Sequence, residues 1–158
     1  MRAKKTKKRE ITPDLLYNSN QVTRLINRSM KSGKKAVAQK QIYASFDLIK
    51  KNTKKDPLEV FEIALKNITP QMEVRSRRVG GAAYQVPIPV KGNRGSSLAI
   101  RWLVLEARKR SNKDHRTYAE KLAAELIDAY QNQGGAIQRK LGSHKMADAN
   151  KAFAHFRW

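Results

Sequence analysis

The sequence predicts a mostly α single domain of about six helices with a protruding two-stranded β-ribbon. Through most of the 158 residues, apolar side chains recur every three or four positions, which is the spacing of an amphipathic helix. Residues 71–90 instead alternate apolar and polar side chains around Gly80-Gly81, a pattern typical of two strands joined by a tight turn. The length corresponds to about one domain, so one core is expected.

The composition favours a polyanion as the partner. Lys and Arg number 34 against 13 Asp and Glu, which gives a net charge of +21. Nucleic acid is the default partner at such a charge, because each contacted phosphate releases condensed counterions. Hydrophobic residues make up 40% of the chain, enough for a small core.

Several classes of protein are excluded by what the sequence lacks. Without cysteine there is no disulfide scaffold, thiolate zinc site or thiol nucleophile. No apolar run approaches the roughly 20 residues of a membrane span, and residues 1–9 lack the apolar stretch of a secretory signal. We therefore expect a soluble, cytosolic protein without a membrane partner.

Residues 1–14 are predicted to form a basic arm, and residues 15–158 the folded domain. The arm has no apolar period, and Pro13 stops a helix from reaching back into it. Its cations are expected to lie on nucleic acid: Lys4, Lys5, Lys7, Lys8 and Arg9.

Three helices are predicted before the ribbon, at about 19–33, 34–52 and 56–70. The third has the clearest start, because Asp56-Pro57-Leu58-Glu59 combines a cap, a first-turn proline and a capping-box glutamate. Their predicted core residues are Val22, Leu25, Ile26, Met30, Ala38, Ile42, Phe46, Ile49, Leu58, Phe61, Leu65 and Ile68.

The ribbon at 71–90 is expected to have a free edge and to need support. Pro87 and Pro89 cannot donate to a ladder, so the second strand cannot be central. A lone hairpin is only marginally stable. Because arginines flank the tip, RNA is the expected support.

Helical spacing resumes after the ribbon, at about 97–110 and 116–132. The first of these helices is apolar over most of its circumference, so a central position is expected. The basic tail at 136–158 is again helix-like, and Gly142 is expected to break or hinge it because glycine lowers helix propensity.

The polar residues do not form a recognisable catalytic constellation, so no enzyme, metal site or cofactor is predicted. His115, His144 and His155 lack the i, i+4 spacing with Glu that marks a zinc protease, and we expect them to be exposed or in contact with RNA. Helical spacing places most carboxylates at caps or on solvent faces: Asp56, Glu59, Glu62, Glu120, Glu125 and Asp128.

Two helix ends are candidate phosphate sites. Lys34 and Lys35 combine ammonium groups with free N–H groups at a helix start, and the same residues also fit a plain helix–helix turn. A second cluster stands where a helix dipole favours cations, although a merely solvated helix end fits it too. Its members are Lys109, Arg110 and Lys113.

The ribbon and the segment after it supply the other candidates. Guanidinium planes stack on bases and bind phosphate in a bidentate way. Tyr84 fits either base stacking or the core, and Arg94 is predicted to lie in a Gly92–Gly95 loop where backbone can approach a phosphate. The ribbon arginines are Arg75, Arg77 and Arg78.

These segments resemble a known family. Residues 74–81 (VRSRRVGG) and 84–87 (YQVP) resemble the hairpin of small-subunit ribosomal protein seven, in its bacterial and organellar form. The similarity continues in order along the chain, at 8–10, 13–14, 17–19, 98–102, 106–110 and 146–158. Two places depart from the family's usual pattern. The first is Gln21 with Gln41, and the first helix pair is therefore expected to pack differently. The second is Leu141-Gly142-Ser143.

The resemblance implies a place in the head of the small ribosomal subunit, in the cytoplasm or an organelle. It implies binding to the 3′ major domain of the small-subunit rRNA, early nucleation of head assembly, and ribosomal proteins nine and eleven as neighbours. The ribbon would lie near the exit-site tRNA and the mRNA, with Arg77, Arg78 and Tyr84 closest. By position, the rRNA-binding residues are Lys4, Lys5, Lys7, Lys8, Arg9, Lys34, Lys35, Arg75, Arg94, Lys109, Arg110 and Lys113.

Two other functions fit parts of the sequence. An architectural DNA-binding protein is also basic, and its arginine ribbon would enter a minor groove. An enzyme acting on RNA fits the charge but not the lack of a catalytic constellation. The charge is patchy, with 16 basic and 3 acidic side chains in residues 1–55, which favours a branched RNA surface contacted on several sides.

Overall fold

The structure is a computed structural model that describes residues 10–156, and it confirms the predicted fold class. Its helices are α1 (Asn20–Ser29), α2 (Lys35–Thr53), α3 (Pro57–Ile68), α4 (Asn93–Lys109), α5 (Tyr118–Tyr130) and α6 (Gly135–Ala149). An antiparallel ribbon of β1 (Met72–Val79) and β2 (Ala82–Pro89) separates α3 from α4, and a 3-10 helix (Lys151–Phe156) follows α6. The predicted arm residues Lys4, Lys5, Lys7, Lys8 and Arg9 lie outside the described residues, so the arm stays a prediction.

One apolar core joins all six α-helices. Phe46 of α2 and Phe61 of α3 are fully buried within it, with ring centroids 5.6 Å apart. Helix α4 packs against α1, α3, α5 and α6, which confirms its predicted central position. Trp102 on α4 is partly buried against the same core.

The helix starts follow local capping chemistry. The Asp56 carboxylate accepts the Leu58 N–H at 3.4 Å, as the N-cap prediction requires. The capping box predicted through Glu59 does not form at α3. Within residues 10–156 the complete capping box lies at α5, where Thr117 Oγ1 accepts the Glu120 N–H. The backbone amides of Thr117 and Arg116 donate in return to the Glu120 carboxylate and hold its pKa below the usual value.

Helix α4 begins four residues earlier than predicted, which corrects the placement of Arg94. Gly92 has a φ of +56° and precedes the helix, so Arg94 belongs to the first turn of α4 and not to a loop. Gly95 is buried there, and a Cβ on it would lie 2.8 Å from Thr69 Cγ2. Close packing, and not loop flexibility, therefore accounts for the glycine at position 95.

The ribbon receives much of its support from the carboxyl end of the chain. Helix α6 packs on β1 and the 3-10 helix packs on β2. The Tyr84 ring centroid lies 5.2 Å from the ring centroids of both Phe153 and Phe156. Tyr84 is thus a packing residue between the ribbon and the 3-10 helix, and the protein itself supplies support that was expected from RNA.

The two glutamines that depart from the family pattern have different surroundings. Gln41 on α2 accepts the Ala119 N–H through Oε1 at 3.2 Å, and so ties α2 to the first turn of α5. Gln21 on α1 buries its Oε1 without a hydrogen-bond partner among the described residues.

The expected break at Gly142 is wrong, because α6 continues through this position to Ala149. Gly142 is exposed, and a Cβ there would meet no atom within 4 Å. The packing of α6 on α3, α4, α5 and the ribbon therefore stabilises the helix by more than the low helix propensity of one glycine destabilises it.

Replacing Gly142 with alanine should therefore raise the free energy of unfolding by about 0.5–1 kcal/mol, because alanine loses less backbone entropy in a helix. Urea denaturation measures the change. Gly95→Ala is the matched control and should destabilise, since its Cβ would collide with Thr69. A loss of stability in Gly142→Ala would contradict the regular helix seen at this position.

Candidate nucleic-acid interface

The start of α2 has the two features predicted for a phosphate site, namely ammonium groups and free backbone N–H groups. Lys34 is the N-cap residue and Lys35 the first helical residue, and both are exposed. No side chain caps the helix, and the amides of Ala36 and Val37 donate no hydrogen bond within the described residues. Gly33, with a φ of +73°, forms the turn from α1, so the turn and the candidate phosphate site coexist.

A larger basic surface, which the sequence reasoning missed, lies between α1 and α4. We call it the α1–α4 groove, a cleft of about 830 Å³. Three arginines line it, Arg24 and Arg28 from α1 and Arg101 from α4. Its other polar lining residues are Glu10, Asn20, Asn27, Asn93 and Ser97.

The arginines of the α1–α4 groove have no acidic partner among residues 10–156. The side chains of Arg24, Arg28 and Arg101 form no ion pair or hydrogen bond with any residue in the described range 10–156. Arg101 Nε is shielded from solvent and has no acceptor among these residues. A buried donor without a partner needs an explanation, and an acceptor supplied by a bound polyanion is one.

The sequence does carry a signal for this groove. Asn20, Arg24 and Arg28 recur every four residues on the face of α1 that is opposite its apolar stripe. Asn93, Ser97 and Arg101 repeat the same spacing on α4. Each polar stripe alone is what any solvated helix shows, so only the packing of α1 on α4 reveals a shared groove.

Arg110, predicted to bind rRNA, is engaged inside the protein. Its Nη2 lies 2.7 Å from Glu125 Oε2 and also pairs with Asp128, while its Nε donates to Glu125 at 2.8 Å. Burial opposes the charge on Arg110, but hydrogen bonds to Asp128 and Glu125 raise its pKa. Glu125 is only 2% exposed, so its predicted place on a solvent face is wrong.

The other two members of that cluster are accessible. Lys109 is exposed and pairs with Glu106 at 3.2 Å, an acid that also receives a bond from Arg139. Burial alone would raise the pKa of Glu106, but bonds from Arg139 and Lys109 lower it overall. Lys113 is exposed and forms no ion pair with the described residues, so it remains a candidate RNA contact.

The ribbon arginines divide into two pairs. Arg75 and Arg94 both bind the carboxylate of Glu73, which joins β1 to the first turn of α4. Arg77 and Arg78 lie beside the Gly80-Gly81 turn and form no ion pair with residues 10–156. Adjacent strand residues point to opposite faces, so these two arginines cover both faces of the tip.

The described part of the chain offers little for other chemistry. In residues 10–156, no group of three or more His, Asp or Glu side chains is placed to hold a metal ion. His144 Nε2 instead accepts the Gln71 N–H at 3.1 Å, and His155 is exposed with its ring 4.0 Å from that of Phe156. Over the same residues, no helix has both the length and the apolarity needed to span a bilayer.

Comparison with known proteins assigns the chain to a family. The family model of ribosomal protein S7p/S5e matches residues 1–151. The chain belongs to this ribosomal protein family. The small ribosomal subunit protein uS7 of Caldicellulosiruptor bescii is 59% identical over 152 residues, which cover 96% of both chains. The uS7 protein of Acetivibrio thermocellus is 57% identical over 151 residues, 96% of this chain and 95% of that one.

Membership of the S7p/S5e family confirms the coarse predictions. The chain is a small-subunit ribosomal protein of the cytoplasmic ribosome, with rRNA and other ribosomal proteins as its partners. It is a structural component and not an enzyme. The resemblance to this family is thereby confirmed over residues 1–151, which include the ribbon and the first part of the carboxyl-terminal segment.

Proposed function

We propose that this protein binds the 3′ major domain of the small-subunit rRNA and nucleates assembly of the subunit head. The α1–α4 groove carries this proposal, because three arginines converge there without a neutralising partner among the described residues. Lys34, Lys35 and Lys113 add exposed cations at other places on the fold. Ribosomal proteins nine and eleven are the proposed protein neighbours.

The separation of these basic surfaces supports a branched RNA over a DNA duplex. The groove lies between α1 and α4, the Lys34 site at the start of α2, and two further arginines at the ribbon tip. A straight duplex contacts one side of a small protein, whereas a folded RNA presents phosphates and unpaired bases around it. Separate sites contacted at once supply specificity that charge alone does not.

The ribbon tip serves a different RNA in this proposal. Arg77 and Arg78 stand beside the turn of the ribbon, opposite Tyr84 and Ala83 on β2, and neither is tied to an acid in residues 10–156. We assign them to placing the exit-site tRNA and the mRNA. Tyr84 contributes indirectly, because its ring packs on Phe153 and Phe156 and holds the ribbon.

A salt series tests the rRNA proposal. The full chain is titrated with a 3′ major-domain rRNA fragment and with duplex DNA of equal charge, from about 0.05 to 0.2 M salt, where purely electrostatic binding with 6–10 phosphate contacts falls about 10³–10⁵-fold. We expect the fragment to stay bound at salt that releases the duplex. Parallel loss of both would mean that charge alone acts, and would favour the architectural DNA-binding alternative.

A further inference from the structure

Glu73 is the acidic residue of the ribbon, and it is buried. Neither β1 nor β2 contains another Asp or Glu. Glu73 is 8% exposed, whereas Arg75, two residues along the same strand face, is exposed. A glutamate is almost never buried without a partner. Its surroundings therefore need a specific explanation.

The carboxylate of Glu73 holds two guanidinium groups, one with each oxygen. Oε1 accepts from Arg75 Nε at 2.7 Å, and Arg75 Nη2 lies 2.5 Å from the same oxygen. Oε2 accepts from Arg94 Nε at 3.1 Å, and Arg94 Nη2 lies 3.1 Å from the same oxygen. A single side chain thus fixes an arginine of β1 and an arginine of the first α4 turn in one arrangement.

Each of the two arginines has a guanidinium edge that Glu73 does not contact and that is open to a ligand. A guanidinium has two edges that bind an oxyanion in a bidentate way, Nε with Nη2 and Nη1 with Nη2. Glu73 occupies the first edge of each arginine and leaves the second. The side chains of Arg75 and Arg94 are 53% and 43% exposed, and the three residues together keep a charge of +1.

We infer that Glu73 is a positioning residue, which holds Arg75 and Arg94 as a two-armed clamp for an RNA phosphodiester. This inference rests on the proposed rRNA binding and deepens it. Long arginine side chains lose rotamer freedom when they bind. Glu73 restricts Arg75 and Arg94 before the RNA arrives, so less entropy is lost on binding.

A purely electrostatic effect of Glu73 and a positioning effect of Glu73 predict opposite changes in RNA affinity, so one substitution distinguishes them. The carboxylate lowers the positive potential at the clamp, and its neutralisation should strengthen attraction to any RNA if charge alone acts. If positioning acts, neutralisation frees the two guanidinium groups and weakens binding to the RNA whose phosphate fits between them. Glu73→Gln keeps the size and one oxygen acceptor while it removes the charge.

The experiment compares Glu73→Gln with the unaltered full chain on two RNAs, the 3′ major-domain fragment and a mixed-sequence single strand of equal length. We expect affinity for the fragment to fall about tenfold, as for a disturbed arginine contact. Affinity for the mixed-sequence strand should stay equal or rise. Glu59→Gln is the matched control, because Glu59 is exposed on α3 and forms no ion pair within residues 10–156; it should not lower affinity for either RNA.

The other outcomes overturn the clamp. A rise for both RNAs in Glu73→Gln, as in the control, would leave charge as the only effect of Glu73. An equal fall in affinity for both RNAs would mean that Glu73 only stabilises the ribbon. Arg94→Lys, which keeps the charge but cannot bind in a bidentate way, should also weaken binding of the fragment, and unchanged affinity would count against the clamp. Equal affinity of the unaltered chain for the two RNAs would contradict the proposed function before any variant is compared.

Discussion

Replacing Arg110 with alanine should lower the free energy of unfolding by about 3 kcal/mol, as expected when one partner of a buried ion pair is removed. Glu125 is 2% exposed and would lose the guanidinium that now lies 2.7 Å away. The Ala136 N–H, 2.8 Å from Glu125 Oε1, would be its remaining donor. Urea denaturation followed by circular dichroism measures the loss.

Lys109→Ala is the control for Arg110, because it removes a neighbouring cation from the same helix end. Lys109 is 59% exposed, and its pair with Glu106 should contribute at most about 0.5 kcal/mol. Arg110→Lys keeps the charge without the planar fork and should lie between the two. A loss below about 1 kcal/mol in Arg110→Ala would mean that the ion pair is not structural, and would return Arg110 to the candidate RNA contacts.

Local patterns were sufficient to predict that the helices and the ribbon exist, but not where α4 begins or that α6 continues through Gly142. Phe61, Leu65 and Ile68 are spaced three or four residues apart, and all three are buried on one face of α3. The ribbon was equally predictable, because Gly80 and Gly81 both adopt a positive φ at its turn. These features depend on neighbours within a few residues, which the sequence displays directly.

The roles of individual charges were not predictable, because they depend on which faces meet. Arg110 has its acids 15 and 18 residues away on α5, and Arg94 has Glu73 21 residues away on β1. Sequence spacing relates residues within one helix or strand, not across two. Cations that look equivalent in the sequence therefore separate into structural ones, such as Arg110, and accessible ones, such as Lys113.

The triple substitution Arg24→Ala, Arg28→Ala and Arg101→Ala should weaken binding of the 3′ major-domain fragment about 100-fold, or about 2.7 kcal/mol. The slope of log affinity against log salt should fall by about 3, one unit for each phosphate that the variant no longer binds. Stability should change little, since no ion pair within residues 10–156 involves these arginines. Fluorescence titration across a salt series measures both affinity and slope.

Two comparisons decide whether the groove or the total charge produces this weakening. Lys50→Ala, Lys51→Ala and Lys66→Ala together remove the same charge from exposed positions on α2 and α3, and should cost much less affinity than the groove triple. Arg77→Ala with Arg78→Ala should leave rRNA affinity nearly unchanged, because the ribbon tip is assigned to tRNA and mRNA. If the lysine triple variant loses as much affinity as the groove triple variant, the groove contributes no more to rRNA binding than any other basic surface of equal charge. A tenfold fall in the ribbon pair, about 1.4 kcal/mol, would instead make the tip part of the rRNA site.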